Sequence, residues 1–186
     1  TNIKSDVILK EVPLIIGGFL SKEKALEGQE KILKTGYFRD VSTDILKRGT
    51  GIYVKYYVVE NPVVSGVEIE SNTLINSSEL TKDFETKAGN VYNINILKKD
   101  NDKLLEMYRK KGYPLTNISS VNMTNDFKIV IRVSEAKVRK IIFKKSKKTD
   151  KKSDETEGDK LKTREYILRR ELTLKEGEFF KLDDFQ

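Results

Sequence analysis

Two stretches decide the fold: KTGYFRDVSTDILKRGTGIYVKYYVVE at 34–60 and KKGYPLTNISSVNMTNDFKIVIRVSE at 110–135. Each reads as a helix end, a Gly-Tyr step, a short strand, a turn, a second strand and a closing glutamate. Gly36 and Gly112 lie 76 positions apart, and Glu60 and Glu135 lie 75 apart. Self-similarity at such a period marks tandem supersecondary units. In FKIVIRVSE, Phe127, Ile129, Ile131 and Val133 fall on one face, with Lys128 and Arg132 opposite. Ile52, Val54, Tyr56 and Val58 repeat that alternation in the earlier copy, as expected of half-buried strands. Gly49-Thr50-Gly51 and Asn125-Asp126 supply hairpin turns, because these residue types accept the positive φ that tight turns need.

Working outward, a second line of repetition precedes the helices. SDVILKEVPLIIGGFLS (5–21), SELTKDFETKAGNVYN (78–93) and REYILRRELTLKEGEFFK (164–181) align with Gly17, Gly89 and Gly177 in register. Each glycine is followed by an apolar pair: Phe19-Leu20, Val91-Tyr92 and Phe179-Phe180. Ser21 is placed to cap a helix that carries Ala25, Gln29, Ile32 and Leu33 on one face and stops at Gly36. Asn93 opens the equivalent helix, with Leu97, Leu104, Leu105 and Tyr108 inward and Gly112 at its end. The Gly89–Gly112 interval is four residues longer than Gly17–Gly36, which predicts one extra helical turn. The unit is thus β-α-α-β-β. It is expected complete over 62–137, without its first strand over 1–61, and as an N-terminal part over 138–186. The pattern opens and stops partway through a repeat, so a longer parent chain is expected.

Composition narrows the function. The chain has no His and no Cys, which excludes the usual zinc sites and the Ser-His and Cys-His nucleophiles. No catalytic residues, metal or cofactor are expected, and the chain is not read as an enzyme. The longest apolar run, VPLIIGGFL (12–20), is far short of the roughly 20 residues that span a bilayer as a helix. The lysine-rich run at 144–162 holds six lysines and one aspartate, then four carboxylates, then two more lysines. It carries only +3 of the chain's +7 and has no aromatic residue. Such a mixed-charge run reads as a loop inserted into the third unit, and no nucleic-acid partner is expected.

A tandem β-α-α-β-β unit whose second helix ends in Gly-Tyr or Gly-Tyr-Phe resembles the POTRA domain. TGYF at 35–38, VVENP at 58–62 and REYILRRELTLKEGEFF at 164–180 carry the resemblance. The last is similar to the barrel-proximal units of BamA-type outer-membrane assembly factors. The departures are Gly112-Tyr113-Pro114 in place of Gly-Tyr-Phe, and Ser71-Asn72 in place of Gly-Asn.

The resemblance implies an α+β fold of units in which a three-stranded mixed sheet packs on two helices. It also implies a periplasmic arm, attached to the outer membrane through a C-terminal β-barrel of the same chain. Such an arm receives unfolded outer-membrane polypeptides and accessory subunits by β-augmentation. Main-chain bonds at an open sheet edge give affinity with little dependence on client sequence. By position, the binding edges are Asp40, Val41, Ser42, Thr43, Asp44 and Ile45 in one unit. In the next they are Asn117, Ile118, Ser119, Ser120, Val121 and Asn122. The alternatives are the POTRA region of a two-partner or patatin-like autotransporter secretion protein and an FtsQ-like cell-division module; the tandem copies argue against the latter.

Three motifs have competing readings. Gly36-Tyr37-Phe38 and Gly112-Tyr113 are expected to be helix stops followed by packed aromatics rather than recognition patches. Asp100-Asn101-Asp102 is expected to be a solvated helix face rather than a cation site, since it lacks the glycine and later carboxylates of a calcium loop. Arg169, Arg170 and Glu171 read as a surface helix with local ion pairs, which the resemblance makes a candidate for partner contact.

Overall fold

The computed structural model describes residues 2–144 and 163–185. Most of the 144–162 insertion therefore lies outside the described residues.

The first unit contains α1 (Ser5–Leu9), α2 (Lys22–Lys34), β1 (Phe38–Arg48) and β2 (Gly51–Glu60). Ser21 caps α2 by accepting the Lys24 N–H at 3.2 Å, which satisfies one of the orphan donors of the first turn. The helix ends at Gly36, whose φ of +83° suits a residue without Cβ. Ala25, Gly28 and Ile32 form its buried face. At Gly28 a Cβ would collide with the Tyr56 hydroxyl, which donates to the Ala25 carbonyl at 3.0 Å. Leu33, expected inward, is 46% exposed; the buried stripe runs through Gly28 instead. β1 and β2 pair antiparallel from Phe38↔Glu60 to Arg48↔Gly51, with a bulge between Phe38 and Asp40.

The middle unit contains β3 (Gly66–Glu70), α3 (Ser77–Leu80), α4 (Ile94–Lys110), β4 (Asn117–Met123) and β5 (Lys128–Ser134). α4 is four residues longer than α2, as the glycine spacing predicts. The sheet order is β3-β5-β4: β3 runs parallel to β5 and β4 antiparallel to it. A parallel neighbour cannot be reached by a hairpin, so the two helices form the crossover and cover one sheet face. Leu97, Leu104 and Tyr108 of α4 pack there on Ile129, Ile131 and Val133 of β5, with Val64, Ile69, Leu80 and Phe84. On the other face, Lys128 pairs with Glu68 at 3.3 Å and Arg132 with Glu70 at 2.6 Å. The β4–β5 turn departs from expectation. Its positive φ is at Phe127 (60°) rather than at Asn125 or Asp126, and Thr124 closes it by accepting the Lys128 N–H at 3.0 Å.

The third unit contributes α5 (Glu165–Glu171) and a 3-10 turn at Leu182–Phe185. Residues 138–143, which fall where a β-α-α-β-β unit would open, join no sheet among the described residues. The stretch is held at its start by the Lys137↔Phe179 bridge and further along by Ile141, whose N–H donates to Glu176 at 2.9 Å.

Candidate binding edges and the joints between units

Strand order determines which backbone is free. β5 is flanked on both sides, so β4 is an outer edge of the middle sheet, and β1 is an outer edge of the two-stranded sheet of the first unit. All twelve edge residues singled out from the sequence lie on these two strands. They do not converge on one site, because each belongs to a different sheet. Val41 is buried and Ile118 and Ser120 are half-buried, so these side chains serve their own units. Ile45 (40% exposed) and Val121 (38% exposed) face outward. Thr43 is also engaged, donating to Gln29 Oε1 at 3.0 Å.

Two buried or half-buried carboxylates brace the middle unit. Glu135 accepts the N–H groups of Thr73 and Leu74 at 2.9–3.0 Å, the Thr73 hydroxyl, and the Tyr108 hydroxyl at 2.8 Å. Burial pushes its carboxyl up, and these donors outweigh that and hold it below the ordinary range. The buried Tyr108 phenol is driven well above its ordinary value by burial and by that carboxylate. Asp100 corrects the expectation of a solvated face: it is 0% exposed and accepts Glu85 N–H at 3.0 Å and Thr86 N–H at 2.8 Å. Nothing in its spacing signalled this, because its partners lie 14 and 15 residues earlier. Among the described residues no cluster suited to a metal ion occurs.

Arg169 is committed within the third unit. It pairs with Glu165 at 2.7 Å and Glu176 at 3.0 Å, donates to the Ile141 carbonyl at 3.0 Å, and lies over the Phe143 ring. It thereby ties α5 to the 141–143 segment. Arg170 and Glu171 pair with each other at 3.0 Å and remain exposed.

The joint between the first and middle units was not legible in the sequence. Three consecutive carbonyls at the end of α2 each accept an asparagine side chain. Asn95 takes Lys34 at 2.8 Å, Asn93 takes Thr35 at 2.9 Å and Asn61 takes Gly36 at 2.9 Å. Asn93 also caps α4 by accepting Asn95 N–H and Ile96 N–H. A Cβ on Gly36 would run into the Asn93 and Asn95 amides, so this glycine serves both the helix end and the close approach. At the next joint, Lys181 and Asp183 occupy the places of Asn93 and Asn95, and Leu182 N–H donates to the Gly112 carbonyl at 2.8 Å. Alanine at Asn93 is expected to cost about 1–2 kcal/mol through the lost cap and the lost joint bond. Alanine at Asn61, Asn93 and Asn95 together is expected to broaden the distance distribution between spin labels at Lys47→Cys and Lys98→Cys. An unchanged narrow distribution would remove the clasp as the determinant of the joint.

The family model described as POTRA, surface antigen variable number repeat, matches residues 1–61 and 62–136. The chain belongs to the POTRA family.

Within that family it is similar to outer membrane protein assembly factor BamA of Nitratidesulfovibrio vulgaris, at 27% identity over 114 residues, covering 61% of this chain and 14% of that protein. It is also similar to a putative outer membrane protein assembly factor of Treponema pallidum, at 29% identity over 133 residues, covering 67% of this chain and 16% of that protein. The chain thus spans only 14–16% of the length of these relatives. The fold matches the N-terminal domain of Omp85 from Thermosynechococcus elongatus with a TM-score of 0.76 at 20% identity, covering 97% of this chain and 75% of that one. It also matches POTRA1-3 of Omp85 from Anabaena with a TM-score of 0.72 at 23% identity, covering 95% and 72%.

Proposed function

We propose that this POTRA region is the periplasmic receiving arm of an outer-membrane protein assembly factor of the BamA type. It takes unfolded outer-membrane polypeptides along the outer edges of β1 and β4 by β-augmentation and passes them toward a barrel in the same protein. The observation that carries this reading is the open edge of β4, supported by the relatives named as assembly factors. One side of β5 is taken by β3 and the other by β4, so the next free main-chain groups in that direction belong to β4. Its side chains there are Ser, Asn, Val and Met, with no charge to repel an incoming strand. The exposed Arg170-Glu171 pair on α5 is the place where an accessory subunit would dock.

The test is photo-crosslinking of an unfolded outer-membrane protein to the chain carrying a photoreactive residue at Val121 or Ile45. Crosslinks are expected at both positions. Lysine at Val121 and Met123 together is expected to weaken client binding about tenfold, equivalent to ~1.4 kcal/mol, with thermal stability nearly unchanged because both side chains are exposed. Undiminished binding by that variant would remove β4 as the receiving edge.

A further inference from the structure

The hairpin joining β1 to β2 ends in a tip unlike its counterpart in the middle unit. The chain has 29 acidic residues, yet none falls between Asp44 and Glu60. The same interval carries Lys47, Arg48 and Lys55. All three are exposed, and among the described residues none of them pairs with a carboxylate. Beside them stand Ile52 (54% exposed) and Tyr53 (55% exposed). The Arg48 guanidinium lies over the Tyr53 ring at 5.9 Å. The turn projects into open space: a Cβ on Gly49 would meet nothing within 4 Å beyond its chain neighbours.

The middle hairpin is closed instead. Over 123–128 its charges cancel, Asp126 against Lys128. Lys128 pairs with Glu68 at 3.3 Å, while Thr124 donates its hydroxyl to Asp126 and accepts the Lys128 N–H. The opening strand of a repeat does not reach the first tip either. In the middle unit β3 runs along β5 only as far as Lys128, seven residues before Glu135, and seven residues before Glu60 is Tyr53. Lys47, Arg48 and Ile52 lie beyond that point.

The pairing spreads these groups over both faces of the tip. Lys47 is opposite Ile52, and the neighbouring rows, Leu46 with Tyr53 and Arg48 with Gly51, point the other way. A folded partner seated on one face meets only part of this set, whereas a layer that surrounds the tip meets all of it. Cations interleaved with an aromatic and an aliphatic side chain match the boundary of a bilayer. There, rings sit at headgroup level and basic groups meet phosphate.

We infer that the tip of the β1–β2 hairpin is a membrane-surface contact, entering the headgroup layer of an anionic phospholipid bilayer. The cations carry it. Each strengthens binding to an anionic surface about fivefold, and the three together about a hundredfold. Ile52 and Tyr53 bury too little apolar area to hold the chain by themselves. The contact is therefore weak and screened by salt, and it acts on a chain already held near a bilayer. It does not depend on the client edges of β1 and β4.

The chain has no tryptophan, so the indole of an Ile52→Trp variant of the whole chain reports the tip alone. The probes are phosphatidylcholine vesicles with and without phosphatidylglycerol. The emission is expected to shift to the blue with anionic vesicles at low salt, and much less at high salt. Glutamine at Lys47, Arg48 and Lys55 together is expected to weaken binding about a hundredfold, with thermal stability unchanged because these side chains are exposed and unpaired. The Phe127→Trp variant, at the middle tip, is expected to show no shift. Flotation of the tryptophan-free chain with anionic vesicles is expected to fall when the three glutamines are introduced. An equal yield of both chains would overturn the contact, as would no shift at Ile52→Trp. An equal shift with neutral vesicles would overturn it by making the tip an unselective apolar surface. Binding that survives the three glutamines would place the attraction in other cations. Soluble polyglutamate bound as tightly as the anionic vesicles would replace the bilayer by an acidic protein partner.

Discussion

Replacing Glu135 with alanine is expected to destabilise the middle unit by about 3 kcal/mol. The carboxylate receives two backbone N–H groups, a threonine hydroxyl and the hydroxyl of a tyrosine that is 0% exposed. Alanine leaves the Tyr108 hydroxyl without its acceptor inside the core and frees the 73–74 turn that follows β3. Glutamine retains one acceptor oxygen and should fall between alanine and the parent. The sign with pH follows from the lowered carboxyl. Stability from Glu135 is fully present above the unfolded carboxyl value of about 4.3 and is lost as pH falls through the lower folded value. The gap between parent and Glu135→Ala should therefore be widest at neutral pH and narrow as pH falls below about 4. Amide exchange of residues 129–133 in the whole chain reports this unit specifically. A gap that stays constant down to pH 3 would show that the carboxylate charge contributes nothing.

The second large effect is expected at Asp100. Its carboxylate is fully buried and accepts two N–H groups from the segment that leads into Gly89, with Lys103 at 3.4 Å. Burial pushes its carboxyl up, and the Glu85 and Thr86 donors with Lys103 bring it below the ordinary aspartate value. It is therefore ionised at neutral pH despite its position. Alanine there orphans both N–H groups and leaves a void beside α4, at about 3 kcal/mol. Lys103 is not orphaned, since it also pairs with Glu85 at 2.9 Å and donates to the Asp83 carbonyl. Asparagine can accept only one of the two bonds and should recover part of the loss. Urea unfolding, with exchange rates at Glu85 and Thr86, checks both variants. Fast exchange at those two amides with unchanged global stability would mean that Asp100 only pins a local loop.

The two carboxylates differ in how visible they were. Glu135 and Glu60 stand out in the sequence as the closing residue of each repeat. Their shared task, receiving the N–H groups at 73–74 and at 2–3, appears only when β3, β5 and the turn after β3 are brought together. Asp100 carried no signal of burial, since aspartate in a run of charged residues on a helix ordinarily faces water. Arg169 reads in the sequence as part of a surface helix with local ion pairs; its guanidinium pairs with Glu165 and Glu176, and its bond to the Ile141 carbonyl, 28 residues earlier, had no signal in that local spacing.

What the sequence determined by itself was the repeat, the order of elements, the helix ends at Gly36 and Gly112 and the inward faces of β5 and α4. These are local properties. Alternation of period two, helical spacing, a capping side chain and a glycine at positive φ all act within a few residues. Only the tertiary structure decided which edges are open, which carboxylates are buried and how one unit is clasped to the next. Those depend on partners far apart in the chain, such as Asn93 and Thr35 at a separation of 58 residues. A polar side chain looks the same in sequence whether it meets water or a carbonyl, and packing alone selects between them.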